Sequence, residues 1–419
     1  MIDEEAIATI IHNISRKGFS HDFGRAKVKL KQKPIWQKVR DLGTRLWLDT
    51  GDIDEAKRLW CSEFEALTTN NTLLNKEVQK GIYDELIRQT AEAIDKVTPN
   101  IDEHRLVLEI AFVLNAYHAL TLVEMFDAYV SIEVHTDLGH DVERTVVYGK
   151  RYYDICPERF YVKVPLTPAG LLAAHKLGQL NVPVNFTLGF SARQNYLASL
   201  LAQTAFVNVF MGRLNAFIVD NGLGDGKNVG EKATLATQRE LLRLRKANRT
   251  HSLLIGASMR EGAQIPALGG VDVFTIPPKV ATQYEDNPLE QPSKQTEQDP
   301  TIILNKSTAF EDIGIETLWD IPQGFRKAVD HLLEENIEKL TPAAIRTYFV
   351  QAGYPDFLPD YSDDDIQTAT TDGKIPIYDK WKDKLAGGKV GLDALMNLSA
   401  FRSFAKDQSA LDNRIRSLL

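Results

Sequence analysis

The sequence predicts an α/β protein whose core is a (β/α)8 TIM barrel, with an N-terminal helix and a helical C-terminal extension. Eight short apolar runs have the length and the β-branched or aromatic content of strands, and helical patterns separate them. Polar side chains also recur at alternate positions within five of these runs. Strands that alternate with helices favour a parallel sheet, and eight such units favour a closed barrel over an open sheet.

The predicted strands follow one another along most of the chain. They cover Arg45–Thr50, Glu65–Asn70, Tyr129–His135, Tyr161–Leu166, Val184–Phe190, Ala205–Met211, Ser252–Ser258 and Asp272–Pro277. Two junctions support the helices that follow them. Thr167 can cap a helix whose first position is Pro168, where the missing N–H costs nothing, and Ser191 can cap the next helix.

Changes in composition divide the chain into segments. They are an N-terminal helical segment (1–44), the catalytic barrel (45–284), a linker and helix (285–322), an insertion of unknown role (323–394) and a C-terminal helix packed on the barrel (395–419). Within the insertion, residues 354–380 are rich in turn-forming and acidic residues, which predicts a solvated excursion. The acids there miss the spacing of a calcium-binding loop.

Composition excludes several classes of protein. The chain has 49 basic and 57 acidic residues and no basic block, so neither nucleic acid nor a membrane surface is an expected partner. A hydrophobic fraction of 43% is enough for a large core. Two cysteines, the lack of a signal-peptide pattern and the lack of a long apolar run predict a cytoplasmic protein without membrane spans.

Alternation within the strands separates an aliphatic face from a polar one. The polar face carries Asp49, Glu133, Lys163, Asn185, Thr187 and Asn208. Polar groups buried at random would each be costly, so their recurrence on one face is informative. It predicts an active site at the C-terminal mouth of the barrel, where barrels of this kind hold theirs.

Lys163 lies among valines and is a candidate nucleophile. Burial disfavours the charged form of an amine, and a neutral amine is what Schiff-base formation with a ketone requires. The alternative, from this segment alone, is a lysine that reaches water from a strand end. Asp49 and Glu133 are candidates for proton transfer, and each has the alternative of a structural acid.

Arg213 and Arg260 follow the sixth and seventh runs, where loops at the barrel mouth converge. Two guanidinium groups there would bind a phosphate group, and an ordinary surface ion pair is the alternative.

His135 and His140 do not fit a zinc signature, so no metal is expected. The glycine-rich stretch 222–226 follows a helical pattern and not a strand, which predicts a loop and no dinucleotide site.

Seven ordered motifs resemble those of the transaldolase family. They are WLDTGD (47–52), LTTN (67–70), SIEV (131–134), YVKVPLTPAG (161–170), VNFTLGFSARQ (184–194), FMGR (210–213) and GASMR (256–260). The segment FAKDQSALDNRI (404–415) is also similar to the last helix of the family. The resemblance runs in order from about residue 46 to 278, and seven motifs on seven strands are far more specific than any single motif.

The resemblance implies transfer of a dihydroxyacetone unit from fructose 6-phosphate or sedoheptulose 7-phosphate to erythrose 4-phosphate or glyceraldehyde 3-phosphate, in the non-oxidative pentose phosphate pathway. It implies Lys163 as the Schiff-base nucleophile, Asp49 as the acid and base, and Glu133 with Thr187 as holders of a water molecule. It also implies a substrate-binding set, with no metal or organic cofactor. That set is Asn70, Asn185, Asn208, Phe210, Arg213, Ser258 and Arg260.

The chain departs from the family pattern at three places. Asn71 and Thr72 stand where a Pro-Ser pair is common, Asn208 stands where a serine is common, and the pattern assigns no function to the insertion. Phe210 stands where members that release dihydroxyacetone to water commonly have a tyrosine. Because phenylalanine offers no hydroxyl group to position water, this residue favours transfer over release.

Three alternatives accompany the transaldolase interpretation. One is a class I aldolase of the same family that releases dihydroxyacetone, or a transaldolase that acts on another six-carbon sugar acid or phosphate. Another is a barrel that binds sugar phosphates without turnover. The last is a metal-dependent aldolase that uses His135 and His140. The oligomeric state stays open, with a homodimer as one option.

Overall fold

The computed structural model describes residues 4–20, 23–289, 291–306 and 308–419. At its centre is a closed barrel of eight parallel strands, in which each strand pairs with its neighbours in chain order. The strands are β1 (Arg45–Asp49), β2 (Phe64–Thr68), β3 (Tyr129–Glu133), β4 (Phe160–Pro165), β5 (Val184–Thr187), β6 (Phe206–Phe210), β7 (Leu253–Ala257) and β8 (Val273–Ile276). The predicted barrel and its eight strands are confirmed, with ends that differ by a few residues.

Helices precede the barrel and connect its strands. They are α1 (Glu4–Arg16), α2 (Pro34–Arg40), α3 (Ile53–Leu59), α4 (Asn71–Val78), α5 (Asp84–Val97), α6 (Glu103–Phe126), α7 (Val142–Ile155), α8 (Pro168–Gln179), α9 (Ala192–Leu201), α10 (Met211–Asp220), α11 (Val229–Lys246), α12 (Gln264–Ala267) and α13 (Pro278–Asp286). Thr167 caps α8 and Ser191 caps α9, as predicted. The stretch 222–226 lies in the loop between α10 and α11, also as predicted.

Aromatic rings fill the lower part of the barrel interior. The Trp47 and Tyr161 rings stack with centroids 5.5 Å apart, and the Phe206 ring meets Trp47 edge-on at 4.7 Å. Because side chains alternate along a strand, the next inward positions are two residues further on, at Asp49 and Lys163. The rings therefore close the barrel beneath its polar groups.

Helix α6 is the longest helix on the outer face of the barrel. By length and composition alone it could cross a membrane, but 83% of its most apolar window is buried inside the protein. It packs against α1, α5 and β3. This is the environment of a core helix, and the expectation that the chain has no membrane span stays a prediction.

The C-terminal region is helical. Its helices are α14 (Phe310–Ile313), α15 (Gln323–Glu334), α16 (Pro342–Gln351), α17 (Asp363–Asp372), α18 (Tyr378–Ala386) and α19 (Leu392–Arg416). The solvated excursion predicted over 354–380 is wrong in form, because this stretch contains α17 and the start of α18. Ser362 caps α17, and three aspartates occupy the first turn, where the helix dipole favours negative charge.

Helix α19 crosses the mouth of the barrel. The Nδ2 group of Asn397 donates to the carbonyl oxygens of Leu166 at 2.9 Å and Leu188 at 2.8 Å, which follow β4 and β5. The helix also contacts α4, α6 and α17. The last helix is therefore placed where its side chains can reach the site, while the division of the chain into five segments stays a prediction.

Candidate active site at the barrel mouth

A cavity of about 630 Å³ opens where the strands of the barrel end. Its wall includes most of the residues that the sequence singled out: Asp49, Asn70, Lys163, Asn208, Phe210, Arg213, Ser258 and Arg260. The other three, Glu133, Asn185 and Thr187, are buried and do not line it. Side chains from widely separated strands thus meet at one place.

Lys163 lies on the wall of the cavity and is only 3% exposed. Its Nζ is 3.9 Å from Oε2 of Glu133, its register partner on the neighbouring strand. Burial raises the pKa of Glu133, although Lys163 and the N–H of Asn71, 3.4 Å from Oε2, act in the opposite direction. The distance between Lys163 and Glu133 is too long for a direct hydrogen bond.

Asp49 ends β1 and lines the cavity. Burial raises the pKa of its carboxyl group to about 6, although the positive charges of Lys163 and Lys76 act to lower it. The cap of the following helix is Asp52, so Asp49 is not needed for that structural purpose. A carboxyl group with a pKa raised toward neutrality is suited to gain and lose protons.

Amide side chains form a hydrogen-bonded layer across β5 and β6. The Nδ2 group of Asn208 donates to Oδ1 of Asn185 at 2.7 Å and to the carbonyl oxygen of Phe186 at 2.9 Å. The Nδ2 group of Asn185 donates to Oγ of Ser131 at 2.8 Å. Asn185 is therefore occupied by protein partners, and Asn208 is the amide that reaches the cavity wall.

Asn70 and Thr187 differ in their hydrogen bonding. Oδ1 of Asn70 accepts a hydrogen bond from the N–H of Leu73 at 2.9 Å and caps α4, which leaves the Nδ2 group of Asn70 for the cavity. Oγ1 of Thr187 is buried and has no hydrogen-bond partner within the described residues. A buried hydroxyl group without a partner calls for an explanation, and a bound water molecule or ligand is one.

Arg213 is a buried cation on the cavity wall. It is 6% exposed, and its Nη1 has no hydrogen-bond partner in the described part of the chain. Burial, followed by the charge of Arg260, lowers the pKa of Arg213 to about 10, so the side chain stays charged at neutral pH. A buried charge of this kind is costly unless an anion joins it.

Gly212 brings the two arginine motifs together. A Cβ atom at this position would lie 2.0 Å from the carbonyl oxygen of Ser258 and 2.7 Å from Cγ of Arg260. Ser258 has φ of 61°, a left-handed conformation that costs energy in a residue with a side chain. The backbone N–H of Arg260 donates to Oε1 of Gln264 at 2.7 Å. The start of α10 and the loop that follows β7 are therefore fixed against each other.

Sequence reasoning missed several residues of the cavity wall: Lys76, Lys279, Lys374, Phe404 and Asp407. The Phe404 ring lies beneath two cations, 5.8 Å from Nζ of Lys163 and 5.4 Å from the guanidinium carbon of Arg213. The similarity of segment 404–415 to the family's last helix was a signal for Phe404 and Asp407. The polar composition around Lys374 gave no such signal.

The two histidines do not form a joint site. Nε2 of His135 is 3.2 Å from the carboxylate of Asp412, and the His140 ring packs against Phe401 with centroids 4.8 Å apart. The group that could hold a cation in the described ranges consists of His135, Asp137 and Asp412, and it includes neither Glu133 nor His140. The arrangement does not favour a metal-dependent aldolase that pairs these histidines.

The fold and the site define the class: a (β/α)8 barrel protein with a buried lysine, two carboxyl groups and two arginines at its mouth. The family profile described as Transaldolase/Fructose-6-phosphate aldolase matches residues 46–339. The chain therefore belongs to this family, as its motifs predicted.

Curated relatives agree with this assignment. A protein of Xanthomonas campestris pv. campestris (strain B100), named transaldolase, is 30% identical over 263 residues, which are 61% of this chain and 80% of the relative. A protein of Prochlorococcus marinus (strain NATL2A) with the same name is 26% identical over 309 residues, 70% of this chain and 92% of the relative.

Proposed function

We propose that the protein is a transaldolase that carries a dihydroxyacetone unit on Lys163 as a Schiff base. The observation that carries this proposal is the position of Lys163, which is buried on the cavity wall with Glu133 3.9 Å away and Asp49 on the same wall. An amine enclosed in this way is suited to attack a ketone. The family and the relatives named transaldolase support the same activity.

In this proposal Lys163 and Asp49 carry out the covalent and proton-transfer steps. The amine of Lys163 adds to the ketone of fructose 6-phosphate or sedoheptulose 7-phosphate, and loss of one water molecule gives the imine. Asp49, as carboxylate, takes the proton of the C4 hydroxyl group while the C3–C4 bond breaks and the aldose phosphate leaves. The enamine on Lys163 then attacks the carbonyl carbon of erythrose 4-phosphate or glyceraldehyde 3-phosphate, and Asp49 returns the proton.

The remaining polar groups position the substrate in this proposal. Arg213, Arg260 and Ser258 bind the distal phosphate group, whose charge compensates the buried guanidinium group of Arg213. Asn70 and Asn208 bind the hydroxyl groups of the three-carbon unit, and Asn185 holds Asn208 in place. Hydrogen bonds of this kind at fixed positions favour one orientation of the sugar.

One water molecule is released when the imine forms, and one is consumed when the product imine is hydrolysed. We assign its positioning to Glu133 and to the free hydroxyl group of Thr187. Phe210 lines the cavity and has no hydroxyl group with which to activate water. Transfer to an aldose acceptor is therefore favoured over release of dihydroxyacetone.

The test is to trap the covalent intermediate. The protein is incubated with fructose 6-phosphate and reduced with borohydride, and its mass is measured with and without erythrose 4-phosphate. We expect one reduced three-carbon unit, located by peptide mapping on Lys163, and its loss when the acceptor is added before reduction. Peptide mapping matters because Lys76, Lys279 and Lys374 line the same cavity.

Two variants serve as controls. Lys163→Met keeps the apolar volume of the side chain and should give no adduct while its thermal unfolding stays cooperative. Lys76→Ala should still give the adduct. A unit that forms but leaves without an acceptor would indicate the aldolase instead, and a wild-type protein without any adduct would contradict the proposed function.

A further inference from the structure

The cavity is lined by an excess of cationic side chains. Besides Lys163, they are Lys76, Arg213, Arg260, Lys279 and Lys374, against the two acids Asp49 and Asp407. None of these five cations forms an ion pair within 4.0 Å in the part of the chain that the structure describes. Unpaired charges of one sign around a cavity attract ligands of the opposite sign.

Lys374 is exceptional among them because it comes from outside the barrel. It lies between α17 and α18, in the segment 323–394 whose role the sequence left open. Gly373 directly precedes it with φ of 84°, a left-handed conformation that suits glycine and turns the chain away from α17. The side chain is exposed, and it lies on the wall of the same cavity as Lys163 and Arg213.

The loop that carries Lys374 is anchored on both sides. On one side, Oδ2 of Asp372 accepts hydrogen bonds from the N–H of Ile377 at 3.0 Å and from Nε1 of Trp381 at 3.2 Å. On the other, Nδ2 of Asn221 donates to the carbonyl oxygen of Pro376 at 3.0 Å, and Oδ1 of Asn221 accepts from the N–H of Tyr378, the first residue of α18, at 2.8 Å. Asn221 ends α10, the helix whose first turn carries Arg213. The loop is therefore tied to the C-terminal end of α10, the opposite end of the helix from Arg213.

The neighbouring acid is already neutralised by another residue. Asp372 has a fully buried side chain, and its Oδ1 pairs with Nζ of Lys380 at 2.5 Å. Helix α17 is held to α19 by a hydrogen bond of 2.8 Å from Nε of Arg402 to Oγ1 of Thr370. The charge of Lys374 is thus left for the cavity, on a loop that the surrounding contacts fix in place.

We propose that Lys374 binds the phosphate group of the sugar substrates, so that the segment 323–394 acts as a specificity element that selects phosphorylated sugars. This inference rests on the proposed function for the identity of the substrates. Arg213 and Arg260 hold the phosphate group through the barrel, and Lys374 adds a third positive charge from the C-terminal region. A flexible ammonium group acts here as a point charge and not as a bidentate clamp.

Binding of inorganic phosphate tests the inference without turnover. Titration calorimetry of the full chain is carried out on the wild type, Lys374→Ala, Lys374→Glu and Lys389→Ala. Lys389 is the matched control, because it is exposed on the same segment and does not line the cavity. We expect Lys374→Ala to weaken phosphate binding by about two- to tenfold, the range for one exposed charge, and Lys374→Glu to weaken it further.

Kinetics supply the second readout. Lys374→Ala should raise KM for fructose 6-phosphate while kcat and the parameters for unphosphorylated fructose stay close to the wild type. Equal phosphate affinity of Lys374→Ala and Lys389→Ala would overturn the proposal, and so would an equal loss with both sugars. If the wild type gives no trapped adduct but Lys374→Ala still loses phosphate affinity, the proposed reaction fails while the phosphate site stands.

Discussion

Lys163 and Glu133 are register partners on adjacent strands, with Nζ 3.9 Å from Oε2 and both side chains almost fully buried. The distance is too long for a hydrogen bond, so the amine is attracted to the carboxyl group without being locked to it. The pKa of Glu133 is nevertheless raised, because burial outweighs the charge of the lysine. Because no hydrogen bond to Glu133 holds it, the nitrogen of Lys163 is free to form a bond with a carbon atom of a ligand in the cavity.

Asp49 gives the first prediction, a loss of activity in acid. Its pKa is raised to about 6 by burial, and the proposed cleavage requires its carboxylate form. We therefore expect kcat/KM for fructose 6-phosphate to fall about tenfold per pH unit below pH 6. The measurement is a pH profile of the wild type between about pH 4.5 and 8. A flat profile through this range would exclude Asp49 as the base in the free enzyme.

The raised pKa of Asp49 also predicts that Asp49→Asn is more stable than the wild type at pH 7. The folded-state pKa lies above the unfolded value of 3.8, so the contribution of Asp49 to stability is present below pH 3.8 and is lost as pH rises through about 6. Removing the charge should gain roughly 1 to 3 kcal/mol at pH 7 and little near pH 4. Urea unfolding at both pH values checks this, with Asp54→Asn as an exposed control.

The sequence predicted the barrel and the polar layer because both depend on local patterns. Alternation within a strand fixes which side chains point inward, and Lys163 and Asn208 follow from that rule and from the motifs around them. It also predicted caps such as Thr167, since a cap is a relation between neighbours in the chain.

Local sequence patterns do not predict which residues of the C-terminal region reach the cavity. Phe404 reaches Lys163 only because α19 crosses the barrel mouth, and Lys374 reaches the cavity only because its loop is tied to Asn221. These contacts join residues far apart in the chain, and no periodicity encodes them. Turn-forming residues in the acidic stretch 354–380 predict a solvated excursion, whereas the capping box at Ser362 starts a helix there.

Phe210→Tyr should shift the protein from transfer toward release. Phe210 lines the cavity and is 8% exposed, so a hydroxyl group on its ring would enter the space where the enamine forms. One added hydrogen bond to water should raise the ratio of dihydroxyacetone released to dihydroxyacetone transferred by about three- to tenfold. Both products are measured from fructose 6-phosphate with a limiting acceptor. Phe404→Tyr is the control, because an equal increase there would show that the position of the hydroxyl group does not matter.

Gly212→Ala should weaken both stability and phosphate binding. The new Cβ atom would clash with the carbonyl oxygen of Ser258 at 2.0 Å, a backbone atom that cannot move alone. We expect a loss of about 1 to 3 kcal/mol in urea unfolding and a higher KM for phosphorylated donors, since the start of α10, which carries Arg213, and the loop of Arg260 must separate. Gly178→Ala is the control, because the atom nearest to its Cβ is the carbonyl oxygen of Ala202 at 3.3 Å. A variant at Gly212 with normal stability and KM would contradict the close packing.

Arg193 provides the last prediction, because it joins the barrel to the C-terminal region. Its guanidinium group, on α9, donates to Asp393 at 2.8 and 2.7 Å and to Asp356 at 2.7 Å, and Oγ of Ser191 donates to Asp393 at 2.6 Å. Arg193 and Asp393 are buried. Loss of the cation would leave at least one buried carboxylate without compensation, so Arg193→Met should cost about 3 to 5 kcal/mol of stability.

The double variant Arg193→Met with Asp393→Leu separates charge from packing. With both side chains apolar, no buried charge is left at position 393, and part of the lost stability should return, although Asp356 and the hydroxyl group of Ser191 still lose a partner. Urea unfolding of the two single variants and the double variant gives the coupling energy. Because Asp393 lies in the first turn of α19, the helix that carries Phe404, Arg193→Met should also raise KM for fructose 6-phosphate. A single variant that loses under about 1 kcal/mol would show that this ion cluster does not hold the C-terminal region on the barrel.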